Sequence, residues 1–158
     1  MRQDSSIGAT VYNAKAAAAY KGRPLLHTST FGGNPLACRA ALSSLAVMER
    51  DQLSKRAAES GAILESGLRK AAQEFPDLIE EVRGLGLMLG LAFKEDKFGG
   101  SVIFEMVKRN VIAVYTLNQP KVLRFEPPLN VETDEIETAL QALEESLLET
   151  RKRLGKSD

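Results

Sequence analysis

The hydrophobic repeat of this chain changes at Phe75–Pro76, and that change limits what the chain can fold into. Before it, apolar residues recur at steps of three and four. Cys38, Ala41, Leu45 and Met48 form one stripe. Leu53, Ala57, Gly61, Leu64, Leu68, Ala71 and Phe75 form a longer one. That spacing keeps side chains on one side of a 3.6-residue turn, so both stretches predict helices with a buried face. After Pro76 come short runs, "LIEEVRG", "LMLGLAF", "VIAVY" and "VLRFE", set off by glycine, proline and polar residues. These predict strands. Leu87–Phe93 is apolar on both faces, which predicts a buried strand.

The boundaries carry their own signals. Alanine-rich Thr10–Tyr20 predicts a short helix, stopped by Gly22 and Pro24. Asn34 can cap the next helix, with Pro35 at its first position, where a missing N–H costs nothing. The second long helix begins near Asp51 and ends at Pro76. Lys94–Gly100 reads as a charged turn, and Ser101–Arg109 as a helix with Val102, Ile103, Met106 and Val107 inward. The last helix opens at Thr133, carries the stripe Ile136, Leu140, Leu143 and Leu147, and closes with Arg151, Lys152 and Arg153. Those charges suit the negative end of a helix. From about Phe75 the order predicts a compact sheet with helices on one face. The first 75 residues hold long helices and no strand. They need another surface to pack on, so the chain is expected to be a piece of a larger assembly.

Composition excludes several function classes. Lysine plus arginine and aspartate plus glutamate balance at 21 each in 158 residues, so no basic excess points to nucleic acid. One cysteine, Cys38, rules out a disulfide framework within one chain. One histidine, His27, rules out paired-histidine metal motifs, and no metal site is expected. No apolar run reaches membrane-spanning length and the N-terminus lacks a signal-peptide core, so a cytoplasmic, membrane-free protein is expected.

Three stretches could carry chemistry. In "HTSTFGGNP", Gly32 and Gly33 let the backbone approach a ligand and expose N–H groups, and Thr28, Ser29 and Thr30 can donate to an anion beside a helix start. The same residues also make an ordinary tight turn and cap. His27 alone reads as structural, since no partner carboxylate follows from the sequence. "VRGLGLMLG" has glycines at 84, 86 and 90, but strand rather than helix follows. The dinucleotide fingerprint needs a helix N-terminus there, so the glycines are read as allowing a bend and close strand packing. In "VLRFEPPL", Arg124 interrupts an apolar strand, with Val122 and Glu126 on its face and Leu123 and Phe125 on the other. Arg124 either pairs structurally, with Glu126 or another acid, or clamps a substrate carboxylate.

In this order, "IGAT" (Ile7–Thr10), "HTSTFGGNPLACRAAL" (His27–Leu42), "VRGLGLMLGLAF" (Val82–Phe93) and "LRFEPPLNV" (Leu123–Val131) resemble the C-terminal part of a class III aminotransferase. That family consists of fold-type-I enzymes that use pyridoxal 5′-phosphate (PLP). The resemblance runs from about Ser6 to Leu154, and "TLNQPKVLRFEPPL" is most similar to the putrescine and ornithine branch. It implies an α/β architecture: the end of a PLP-transferase large domain over 1–50, then a connecting helix and the small domain over 51–158. That small domain would hold a short, mostly antiparallel sheet with helices on one face.

The resemblance also implies roles. Thr30, with Ser29 and the Gly32 backbone, would contact the PLP phosphate of a neighbouring subunit in a homodimer. Arg124 would bind the carboxylate of a keto acid such as 2-oxoglutarate, the amino donor being a diamine or ω-amino acid. The family's Schiff-base lysine sits upstream of "IGAT", so no catalytic residue is assigned in this chain. Lys15 and Lys21 give no reason to be appointed in its place. The isolated chain is expected to be inactive and its own hold on PLP doubtful, unless a homodimer or a missing N-terminal part completes the site. A non-catalytic anion-binding or dimerisation module of the same fold is the alternative.

Overall fold

The computed structural model of the protein describes residues 8–23, 29–116 and 118–154. It divides into two compact units, Met1–Asp51 and Gln52–Asp158.

In the first unit, α1 spans only Ala14–Ala17, and a 3-10 turn continues it over Ala18–Tyr20. The expected start at Thr10 fails because Asn13, three residues later, is the cap, its side chain accepting from the Ala16 N–H at 2.9 Å. Helix α2 runs Pro35–Arg50 with Asn34 as its cap, in line with the sequence. Its stripe is not buried: Cys38 and Ala41 are half-covered, whereas Leu45 and Met48 are exposed, along with Leu36 and Leu42.

In the second unit, α3 spans Leu53–Glu74 and buries Gly61, Leu64, Leu68 and Ala71. Strands β1 (Ile79–Leu85) and β2 (Met88–Phe93) form a tight hairpin. Helix α4 covers Asp96–Val107, so most of the expected Lys94–Gly100 turn is helical. Two contacts set that early start: Phe98 is fully buried, and a Cβ on Gly99 would lie 3.3 Å from the Pro120 carbonyl oxygen and 3.4 Å from the Phe93 ring. Tertiary packing thus overrides the turn signal of the glycines. Val107, expected inward, is exposed, and Glu105 is buried in its stead. Strand β3 is short, Val114–Thr116, and β4 spans Gln119–Phe125. The Thr116 hydroxyl donates to the Gln119 carbonyl at 2.9 Å across their tight connection. Helix α5 spans Thr133–Arg153, opened by a reciprocal Glu132–Glu135 capping box.

The four strands form one antiparallel sheet in the order β1-β2-β4-β3. Residues paired across an antiparallel ladder share a face. Val82, Leu91 and Leu123 are such a row, and with Leu89, Phe93 and Phe125 they pack into one core with Leu64, Leu68, Phe98, Val102, Met106, Ile136, Leu143 and Leu147 of the helices. The next row, Arg83, Gly90, Arg124 and Val114, points the other way and stays open. This is an α/β fold with an antiparallel sheet, as the sequence predicts.

Polar contacts tie the helices together. Arg151 donates to Asp77 at 2.6 Å and to the Glu74 carbonyl at 2.9 Å, and lies 4.4 Å over the Phe75 ring, fixing the end of α5 to the corner between α3 and β1. Buried Glu105 accepts from Lys108 at 2.9 Å and Arg109 at 3.3 Å, with Arg153 at 3.6 Å. The Lys108 hydrogen bond, more than any other influence, holds the Glu105 carboxyl below the usual carboxylate range, outweighing desolvation. Glu145 is lowered likewise by its hydrogen bond from Arg109, and Glu80 by that from Lys121. A depressed carboxylate stabilises the folded state above the usual range, and that contribution is lost as pH falls through it. Glu105→Gln is therefore expected to lower stability at neutral pH and to flatten the acid-side decline in urea unfolding measured across pH. An unchanged decline would contradict this. Thr150 presents the opposite case, a fully buried hydroxyl with no hydrogen-bond partner among the described residues. Thr150→Val keeps the shape and removes the unsatisfied group, so it is expected to raise stability by about 1 kcal/mol in thermal unfolding.

Candidate functional site

The loop before α2 is built from two successive turns. The Gly32 N–H donates to the Ser29 carbonyl at 3.1 Å, and the Asn34 N–H to the Phe31 carbonyl at 3.1 Å. Gly33 has φ +71°, which favours glycine, and nothing lies within 4 Å of where its Cβ would be. Asn34 then occupies the helix start itself. Its side chain accepts from the Leu36 and Ala37 N–H groups at 3.0 and 3.2 Å, and its carbonyl from Cys38 at 2.9 Å. Pro35 has no N–H to offer. The helix amides and the Gly32 amide are thus committed within the chain. Among the donors left to meet an anion are the Gly33 N–H and the Ser29 and Thr30 hydroxyls, both hydroxyls exposed and without a hydrogen bond among the described residues. Neutral hydroxyl donors beside the positive end of a helix fit a phosphate oxygen. His27 and Thr28 lie outside the described residues. Lys15 and Lys21 are exposed.

Arg124 sits on the open face of the sheet, opposite Gly90 of β2 and Val114 of β3. It is not buried: its side chain is 48% exposed and its Nε lies 3.2 Å from Glu126, itself 51% exposed. An ion pair this open contributes about 0–1 kcal/mol, so Arg124 can exchange it for another carboxylate at little cost. A pocket of about 240 Å³ opens beside Arg124 and Glu126, walled by Leu64, Val131 and Ile136. A shallower one of about 210 Å³ lies over Gly90, with Arg124 on one side and Arg83 on the other. Arg83 lies in the glycine-rich stretch VRGLGLMLG. Its alternation with Glu81 repeats the pattern that draws attention to Arg124, and the sheet register brings the two arginines into one row.

Thr30 and Arg124 belong to different units. Among the described residues, no group of three or more His, Cys, Asp or Glu side chains could hold a metal, and no helix is long and apolar enough to cross a membrane.

A helix-covered antiparallel sheet with an arginine on its open face, and in the other unit a hydroxyl-bearing Gly-Gly turn before a helix, define an α/β fold. The family model of the class-III aminotransferases matches residues 5–147, and the chain belongs to that family. Among solved structures, it is similar to a lysine aminotransferase from M. tuberculosis at 31% identity, TM-score 0.74, over 81% of this chain and 29% of that one. It is also similar to the ornithine aminotransferase from Toxoplasma gondii at 31% identity, TM-score 0.74, over 83% of this chain and 31% of that one. A transaminase solved with L-alanine matches at 27% identity, TM-score 0.77, over 89% of this chain and 35% of that one. The chain therefore spans about a third of the length of the structures it matches.

Proposed function

We propose that these 158 residues form the C-terminal portion of a PLP-dependent aminotransferase, moving an amino group from a diamine or ω-amino acid of the putrescine and ornithine type to a keto acid such as 2-oxoglutarate. The observation that carries the reading is Arg124, a lightly held guanidinium on an open sheet face in a chain of this family. PLP, when bound, supplies the electron sink that lets an amino group pass between amine and keto acid. The chain's own residues bind and orient. Thr30, with Ser29 beside it, would donate a hydrogen bond from its hydroxyl to the phosphate group, across a homodimer. Gly32 allows close backbone approach but not a free N–H, since that donor serves the Ser29 carbonyl. Arg124 receives the keto-acid carboxylate in a two-pronged pair. The lysine that carries the cofactor is supplied by chain outside residues 1–158, so these residues alone are expected not to turn over.

The experiment is cofactor retention and amino transfer in the native polypeptide that carries residues 1–158. Thr30→Ala removes one hydrogen bond to a charged group, worth about 1.5–3 kcal/mol, so PLP affinity is expected to fall roughly ten- to a hundredfold. Affinity unchanged in Thr30→Ala would remove Thr30 from the site. Amino transfer absent from the native polypeptide with every diamine and ω-amino acid tried would favour a non-catalytic module of the same fold.

A further inference from the structure

We propose that the joint between α2 and α3 is a two-state hinge. Gln52 turns between the left-handed conformation that breaks the helix and a right-handed one that makes Pro35–Glu74 a single continuous helix.

The break is confined to one residue. The Asp51 N–H still donates to the Val47 carbonyl at 2.9 Å, closing the last turn of α2. The Arg56 N–H donates to the Gln52 carbonyl at 3.1 Å, closing the first turn of α3. Asp51, at φ −92° and ψ 5°, stays near helical geometry. Gln52 leaves it, at φ 50° and ψ 40°. The boundary between the two compact units falls at the same place.

Nothing in the local sequence demands a break. "VMERDQLSKRAA" (Val47–Ala58) contains neither glycine nor proline, and most of its residues are good helix formers. Helices that end on a left-handed residue usually place glycine or asparagine there. Among the described residues, the others at positive φ are glycines and Asn110. Glutamine in that conformation carries the cost of a Cβ crowding the following carbonyl. A break also leaves the last carbonyls of one helix and the first amides of the next without partners inside their own helices, and a continuous helix supplies them.

The apolar pattern pulls the other way. The stripe of α2 ends at Met48 and that of α3 begins at Leu53. In a continuous helix a step of five residues turns the stripe by about 140°, so the two stripes would face different sides. A break at Gln52 lets each helix turn its stripe independently. Backbone terms favour the continuous helix and side-chain pattern favours the break. Two arrangements of one sequence balanced in this way form a bistable element that the rotation of one residue switches.

The test is the distance between spin labels on Cys38 of α2 and on Ala58→Cys of α3, measured by pulsed EPR in the 158-residue chain. From residue 38 to residue 58 a continuous helix spans about 30 Å, and any bend shortens that distance. The expected result for Gln52 is two distances, the longer near 30 Å. Gln52→Gly removes the left-handed cost and weakens the continuous helix, so it is expected to lower the long-distance fraction about tenfold. Gln52→Ile places a branched Cβ that the left-handed region tolerates poorly, so it is expected to raise that fraction about threefold. A single short distance in all three proteins overturns the inference. A broad distribution in Gln52→Ile with no peak near 30 Å also overturns it, because the joint then frays and does not straighten.

Discussion

Gly61→Ala is expected to destabilise the second unit by about 3 kcal/mol, although it replaces glycine by the best helix former in the middle of a helix. On propensity alone the change should stabilise by about 1 kcal/mol. The backbone decides otherwise. A Cβ at Gly61 would lie 2.3 Å from the Gly86 carbonyl carbon and 2.5 Å from its oxygen, so α3 rests directly on the turn between β1 and β2. That turn cannot move aside, because Gly86 has φ +57° and a Cβ at Gly84 would lie 2.1 Å from the Met88 carbonyl oxygen. Gly67, in the same helix, provides the control. Its Cβ would meet Leu140 Cδ1 at 2.3 Å, the far end of a flexible side chain. A rotamer shift costs about 0.5–1.5 kcal/mol and offsets the helical gain, so Gly67→Ala is expected to be nearly neutral. Urea midpoints of the two variants check the contrast. Equal midpoints would mean that the α3–hairpin contact is looser than described.

Arg124→Gln is expected to lower kcat/KM for the keto acid by ten- to about a hundredfold while leaving stability nearly unchanged. The first number follows from losing a two-pronged charge-assisted pair, about 1.5–3 kcal/mol. The second follows from the weakness of the half-exposed Arg124–Glu126 pair. A diamine donor has no carboxylate to lose, so the amine half of the reaction is expected to change far less. Arg124→Lys restores charge but not the planar fork, and is expected to recover only part of the loss. Separate half-reaction kinetics check this. Equal losses in both halves would point to a structural role for Arg124.

Helices α3 and α5 were legible because their stripes keep helical spacing over many turns, and Leu64, Leu68, Leu143 and Leu147 are buried where the spacing puts them. Helix α2 was legible as a helix from Asn34–Pro35, but its burial was not. What covers a helix depends on what packs against it, which its own spacing does not specify. The start of α4 was hidden because Gly99 and Gly100 read as turn residues, whereas Gly99 is small for the sake of Pro120 and Phe93. At the candidate site, Arg124 stood out as a charge in an apolar strand. Arg83 did not, since its place in the row depends on pairing across β2, a property of the sheet and not of either strand. The commitment of the Gly32 and helix N–H groups was also illegible, because it follows from the exact turns that Ser29 to Asn34 adopt.

The central proposal is that these residues serve an aminotransferase, with Arg124 binding the carboxylate of the keto acid. The most direct measurement is amino transfer to 2-oxoglutarate by the native polypeptide that carries them, with putrescine, ornithine and lysine as donors, compared with its Arg124→Gln variant. The expected result is PLP-dependent transfer that falls at least tenfold in kcat/KM for 2-oxoglutarate in the variant. Transfer that is absent, or that proceeds equally well without Arg124, would contradict it.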